Sequence, residues 1–185
     1  MQELSMNILD IAENSVRAGA GLIEIRLVQD TEKALQTLVI ADNGKGMSPE
    51  MVQRVTDPFC TTRTTRKVGL GLPFLKMAAE MAGGSLTIHS EEGRGTVVTA
   101  TFALGHIDLM PLGDMAATLA ALVQCNPAID FVYTFRRDAE EFAFDTREAR
   151  EILGGVPLSE PAVAVFVREY IAEHMQAIAK PEETV

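Results

Sequence analysis

The sequence predicts an α+β protein, and three features of its 185 residues carry that prediction. One is a helical apolar stripe close to the N-terminus. The second is a set of short runs in which apolar and polar residues alternate. The third is the order of these runs, which come in neighbouring pairs with a helix-like stretch between one pair and the next. Leu4 to Arg17 sets Leu4, Ile8, Ile11 and Ser15 along one stripe, as a helix with one buried side does. "RAGAG" follows, and Gly19 and Gly21 are stop signals. "LIEIRLV" alternates like a half-buried strand, and "LQTLVIAD" reads as a second strand, more buried at its end. Ser48, Pro49 and Glu50 open a helix, with Ser at the N-cap and Pro just inside. Asp57 to Val68 is polar, basic and aperiodic, and reads as a loop. Gly69 to Ala82 reads as a helix stopped by Gly83 and Gly84. "SLTIHSE" and "GTVVTATFAL" are two further strands, joined by the turn signal "EEGRG".

The β pattern ends at Leu104, and Pro111 precedes a new helix, so Gly105 to Gly113 is a boundary between residues 1–104 and 105–185. Beyond it, Asp114 to Val123 reads as a helix, "IDFVYTF" and "EFAFDT" as a hairpin around Arg136 to Glu140, and Thr146 to Leu153 and Glu160 to Ile178 as helices. The aromatics of "FVYTF" and "FAF" suit a core. "KPEETV" reads as a frayed tail.

The length allows one ample domain or one domain with an appendage. The net charge of −10 is uneven: residues 1–104 carry 10 Lys+Arg against 12 Asp+Glu, and residues 105–185 carry 6 against 14. That balance argues against nucleic acid or an anionic membrane as a partner, since both need a basic surface. No run has membrane-spanning length, and no basic segment with an apolar core opens the chain. Cys60 and Cys125 stand apart, which supports neither a zinc site nor a disulfide framework and fits a cytoplasmic protein.

Several residues point to one ligand. Asp10 and Asn14 are four apart and share a helix face, and Arg17 lies three further on. A carboxylate and an amide oxygen suit Mg²⁺, which keeps several waters and bridges to phosphate. Solvated helix residues would give the same spacing. Asp42 falls at a strand end, where a carboxylate can accept a hydrogen bond from an exocyclic amine. Gly44 and Gly46 let the backbone turn sharply and approach a ring, although Asp-Asn-Gly is also an ordinary turn. Thr61, Thr62, Arg63, Arg66 and Lys67 put hydroxyls and cations just ahead of Gly69, Leu70 and Gly71, where a helix N-terminus favours phosphate. A solvated basic loop is the alternative. Gly93, Gly95 and Thr96 open the last strand, and Thr96 can reach a base edge or merely close a β-turn.

The order of these motifs, from the acid-x-x-x-Asn helix to the Gly-x-Gly-Thr strand, resembles the GHKL ATPase family over Leu4 to Leu104. The family is also called histidine-kinase-like or Bergerat-fold ATPases and includes DNA gyrase B, heat-shock chaperones, sensor histidine kinases and MutL proteins. "ENSVRAGA" is most similar to the MutL form of the helix, and the stretch from "DPFC" to "TATF" to a sensor-kinase tail. The resemblance implies a two-layer α/β sandwich: a mixed, mostly antiparallel sheet with helices on one face, here with a small α+β C-terminal appendage. It implies that Asn14 holds Mg²⁺, Asp42 binds adenine and Gly44 and Gly46 line the base pocket. Gly69, Leu70 and Gly71 with Thr61, Thr62 and Arg63 would hold phosphates, and Thr96 would assist at adenine. Arg17 stands where many kinases carry a phosphate contact. Asp10 occupies the place of a water-activating Glu and is one methylene shorter, so it serves as a weak base or serves Mg²⁺ alone. Glu13 points about 100° around the helix from Asn14, and is expected to be solvated or paired.

The implied activity is a Mg²⁺-dependent ATP-binding switch or slow ATPase that acts through a partner protein. The alternative is a kinase that passes the γ-phosphate to a separate protein, as histidine kinases or anti-sigma factors do. A third class is a scaffold that ATP merely stabilises. His89, His106 and His174 lie in no phosphoacceptor motif, and the ATP-binding motifs begin at the first residues, so self-phosphorylation is not expected. The C-terminal region or the Thr61–Lys67 loop, read as a lid over the phosphates, would meet the partner. The oligomeric state is left open.

Overall fold

Alternation along each strand decides the architecture. β1 (Leu22–Asp30), β2 (Leu35–Asp42), β3 (Ser85–Glu91), β4 (Gly95–Ala103), β5 (Asp130–Arg137) and β6 (Glu140–Asp145) form one sheet in the order β3-β4-β2-β1-β5-β6. Every neighbouring pair is antiparallel except β1 with β5, which is parallel. The structure is a computed structural model that describes residues 3–55 and 71–179.

The register stacks like on like. Ile25 lies opposite Ile40 on one side and Tyr133 on the other, and Ile40 lies opposite Val98. Ile23, Ile25, Leu27, Leu38, Ile40, Val98, Phe102, Phe131, Tyr133, Phe135, Phe142 and Phe144 are all buried, while Glu24 and Arg26 between them are exposed. One face of the sheet is therefore apolar and must be covered. The cover comes from α1 (Leu4–Arg17), α3 (Gly71–Met81), α4 (Met115–Cys125) and α6 (Pro161–Ala179). They contribute Leu4, Ile8 and Ile11; Leu72, Leu75 and Ala79; Leu119, Leu122 and Val123; and Val163, Val167 and Ile171 to the same core. Two shorter helices, α2 (Pro49–Val55) and α5 (Thr146–Leu153), complete the elements among the described residues. This is the expected two-layer sandwich with its mixed, mostly antiparallel sheet.

The elements after Gly105 are mixed helix and strand and belong to the same sheet and core, joining the rest edge-on. β5 and β6 extend the sheet beyond β1, and α4 packs against both α1 and α6. Residues 105–113 do not hang free. The Pro111 and Leu112 carbonyls accept the Leu4 and Ser5 amides at 2.9 Å each, so the connection caps the start of α1.

Candidate functional site

The end of α1, the end of β2, the loop into α2 and the start of β4 enclose a cavity of about 580 Å³, a size that suits a nucleotide or a similar ligand. Ile11, Ile40, Val55, Leu72 and Val98 give it apolar walls, and Asn14, Ser15, Arg17, Asp42, Lys45 and Thr96 bring polar groups to it.

Asp42 is placed by the sheet. It follows Leu38 and Ile40 at alternate positions of β2, so it points to the helix-covered face just where the apolar row runs out. Ser15 comes down from α1 and donates its hydroxyl to Asp42 Oδ2 at 2.6 Å, and the Gly44 amide donates to Oδ1 at 2.9 Å. Thr96 is the partner of Asp42 in the β2–β4 register, so both stand side by side at the cavity.

The turn after Asp42 depends on its glycines. Gly46 has φ +67°, and a Cβ there would lie 1.9 Å from the Glu91 carbonyl oxygen. Gly44 is needed for space: a Cβ would meet Ala18 and Asp42 Oδ1 at 3.0 Å. Gly95 lets β4 pass β2 closely, since its Cβ would lie 1.9 Å from the Asp42 carbonyl oxygen. Asn43, which the sequence analysis passes over, fastens the turn to β1 by accepting the Gly21 and Leu22 amides at 2.8 and 2.9 Å. Ser48 receives the Met51 amide at the start of α2, as the N-cap reading expects.

Asn14 and Arg17 both line the cavity, and Arg17 bridges two neighbours on α1. Its guanidinium donates to Asn14 Oδ1 at 3.2 Å and pairs with Glu13 at 2.7 Å, so Glu13 is paired rather than free. The pair is solvent-exposed and contributes little to stability. Asp10, one turn before Asn14, is exposed and lies outside the cavity lining, beside the start of α3. A Cβ on Gly71 would come within 2.8 Å of the Asp10 Cβ, so only a glycine lets α3 begin there. Partial burial pushes the Asp10 carboxyl above its ordinary range; Glu13 adds to the shift, and Arg17 opposes it.

Among the described residues no three or more His, Cys, Asp or Glu side chains gather as a metal cage. Asn14 and Asp10, one turn apart on α1, carry oxygen donors of the kind Mg²⁺ takes alongside water and phosphate, and of the two only Asn14 lines the cavity. Thr61, Thr62, Arg63, Gly69 and Leu70 lie outside the described residues, as do Arg66 and Lys67. The structure thus brings Asn14, Arg17, Asp42, Gly46 and Thr96 to one cavity, with Gly44 beneath Asp42, and sets Asp10 with Gly71 beside it. Ser15, Lys45 and Glu92 line the cavity without being singled out by the sequence, and Ser90 stands beside Thr96 as its register partner on β3. Ser15 carried a signal, a hydroxyl on an otherwise apolar stripe. Ser90 carried none.

The family described as histidine kinase-, DNA gyrase B- and HSP90-like ATPase matches residues 1–106. The sensor protein SrrB of Staphylococcus aureus is 36% identical over 101 residues, covering 52% of this chain and 17% of that protein. A Rickettsia conorii protein that bears the name of an NtrY-like sensor histidine kinase is 30% identical over 110 residues, covering 59% of this chain and 18% of its own length. The chain therefore spans less than a fifth of either relative. Among solved structures, the N-terminal domain of a DNA repair protein shares the fold with a TM-score of 0.57 at 14% identity, over 77% of this chain and 52% of that one. Domains of the matching family bind ATP, generally with Mg²⁺. No helix among the described residues is long and apolar enough to cross a membrane. Because the family match takes in more than half of the chain, including the helix, the strand end and the turn that build the cavity, this protein belongs to the histidine kinase-, DNA gyrase B- and HSP90-like ATPases.

Proposed function

We propose that the cavity binds ATP with Mg²⁺ and that the protein works through a partner protein, as a slow ATPase or an ATP-driven switch. The observation that carries this reading is Asp42: a carboxylate held at both oxygens, beside Thr96, at the end of an apolar slot. Such a group is positioned to accept an exocyclic amine while a purine ring fills the slot between Ile40, Val98 and Met47. Gly44 holds the carboxylate, and Gly46 shapes the wall. Asn14 and Asp10 are the oxygens for Mg²⁺, which when bound neutralises phosphate charge. Arg17 reaches phosphate once it leaves Glu13, and Thr61, Thr62, Arg63, Gly69, Leu70 and Gly71 are the further phosphate-binding residues in this reading. Asp10 activates water, weakly, because it stands beside the cavity rather than in its wall. Residues 105–185 form the region that reports the nucleotide state to the partner.

The second reading is transfer of the γ-phosphate to a separate protein. The names of the sensor-kinase relatives favour it. One pocket serves either outcome, since phosphoryl transfer needs mainly positioning and charge stabilisation. Both are tested by incubating the protein with Mg²⁺ and γ-labelled ATP, and measuring bound nucleotide and free phosphate. Asp42→Asn is the control: its amide sets a donor against the amine, and ATP affinity is expected to fall about tenfold or more with the fold intact. Unchanged affinity in that variant removes the adenine assignment. Steady phosphate release lost in the variant supports an ATPase. Binding without release moves the phosphate acceptor to a partner.

A further inference from the structure

Ser90 lies on the helix-facing side of β3, is the register partner of Thr96 on β4, and stands behind Thr96, outside the cavity lining. Its hydroxyl meets three groups. The Met47 amide donates to it at 2.9 Å, the Gly95 carbonyl oxygen lies at 2.9 Å, and Thr96 Oγ1 lies at 2.8 Å. A serine hydroxyl has one hydrogen and two lone pairs. The Met47 amide only donates, and the Gly95 carbonyl only accepts. Ser90 thus spends its hydrogen on Gly95 and one lone pair on Met47, and keeps one lone pair for Thr96. All three contacts are hydrogen bonds only when Thr96 gives its own hydrogen to Ser90.

We propose that Ser90 sets the hydrogen-bonding sense of Thr96 and so selects 6-amino purines over 6-oxo purines. This deepens the adenine-site reading and rests on it. With its hydrogen committed, Thr96 shows only lone pairs to the cavity. Its register partner Asp42 also only accepts. An exocyclic amine brings two hydrogens to this pair of acceptors, directly or through an ordered water. An oxo group sets lone pairs against lone pairs; the N1–H of a 6-oxo purine can meet one of the two acceptors, and the acceptor that faces the oxo group is left unmatched, the situation that recognition sites reject most strongly. If Thr96 turned the other way it would donate into the cavity and accommodate an oxo group. Ser90 removes that alternative without touching the ligand, so it is a positioning residue.

The test compares ATP with inosine triphosphate, which carries oxygen in place of the 6-amino group. Both are titrated with Mg²⁺ against the full chain, and thermal unfolding is followed alongside. The intact protein prefers ATP. In Ser90→Ala the ratio of ATP to inosine triphosphate affinity narrows about three- to tenfold, the size of one hydrogen bond. Ser90→Thr restores the ratio, and Ser90→Ala adds nothing in a Thr96→Val background, because the two act as one unit. A purely structural serine would weaken both nucleotides in step; an unchanged ratio in Ser90→Ala overturns the proposal. Should that variant not fold, Thr96→Val, which leaves the Met47 and Gly95 contacts in place, must narrow the ratio itself, and failure to do so overturns it equally. Equal affinity of the intact protein for both nucleotides overturns the adenine reading and this proposal with it. Preference in the intact protein with an unmoved ratio in Ser90→Ala overturns the Ser90 assignment alone.

Discussion

A carboxylate gripped at both oxygens cannot turn. Ser15 and the Gly44 amide fix Asp42 before any ligand arrives, so binding costs no further ordering of that side chain. Asp10 is the opposite case, a carboxyl whose proton the fold holds more tightly than usual. Its pKa is raised from the ordinary value of 3.8, chiefly by partial burial, so the folded state binds more protons than the unfolded one. Its contribution to stability is complete below the unfolded value and is lost as pH rises through the folded one. Asp10→Asn is therefore expected to gain in Tm relative to the wild type between acid and neutral pH, and paired melting curves across that range check the sign. A gap that shrinks instead would mean the carboxylate is stabilised in the fold. At this scale the sequence shows which residue types gather but not how they are held. Asp42, Asn14 and Thr96 stand out through their motifs. The grips of Ser15, Asn43 and Ser90 do not, because each depends on a partner that another element delivers.

Elements with a strong period are visible in the sequence almost to the residue. The stripe from Leu4 to Arg17 is α1, and the alternating runs are β1 to β4. The β5–β6 hairpin is visible too, since a local turn pairs its strands. The order of strands is not visible. Periodicity tells a strand which face is buried, never which neighbour it will have, so the pairing of β1 with β5 appears only in three dimensions. Where β6 ends, one side chain completes the ladder. The Phe131 amide, next in register after the Val132–Asp145 pair, donates to Thr146 Oγ1 at 2.9 Å in a buried position. The chain turns into α5 there, with Asp145 capping the helix by accepting the Arg147 amide. Thr146→Val keeps the shape and strands that amide, at a cost of about 1–3 kcal/mol. Denaturant unfolding measures it, and a loss much below that range would show that the amide finds another partner.

On the scale of the whole molecule, the C-terminal region is built into the sheet rather than laid on it. β5 covers the edge of β1, and α4 covers part of α1. A chain cut after Leu104 would bare that edge and most of the acidic excess would be gone, which together favour aggregation. Size-exclusion chromatography of residues 1–104 is expected to show aggregate or a loosely folded species, and a sharp, monomeric, cooperatively melting fragment would show that β5 is dispensable. The same seam governs how the protein comes into being. Leu22 and its partner Asp130 are more than a hundred residues apart, so β1 leaves the ribosome long before β5 exists. At about 5–20 residues per second, that gap lasts on the order of 5–20 s. For that interval the nascent chain carries an open strand edge, and the sheet is finished by one of its most distant pairings, a slow step by topology.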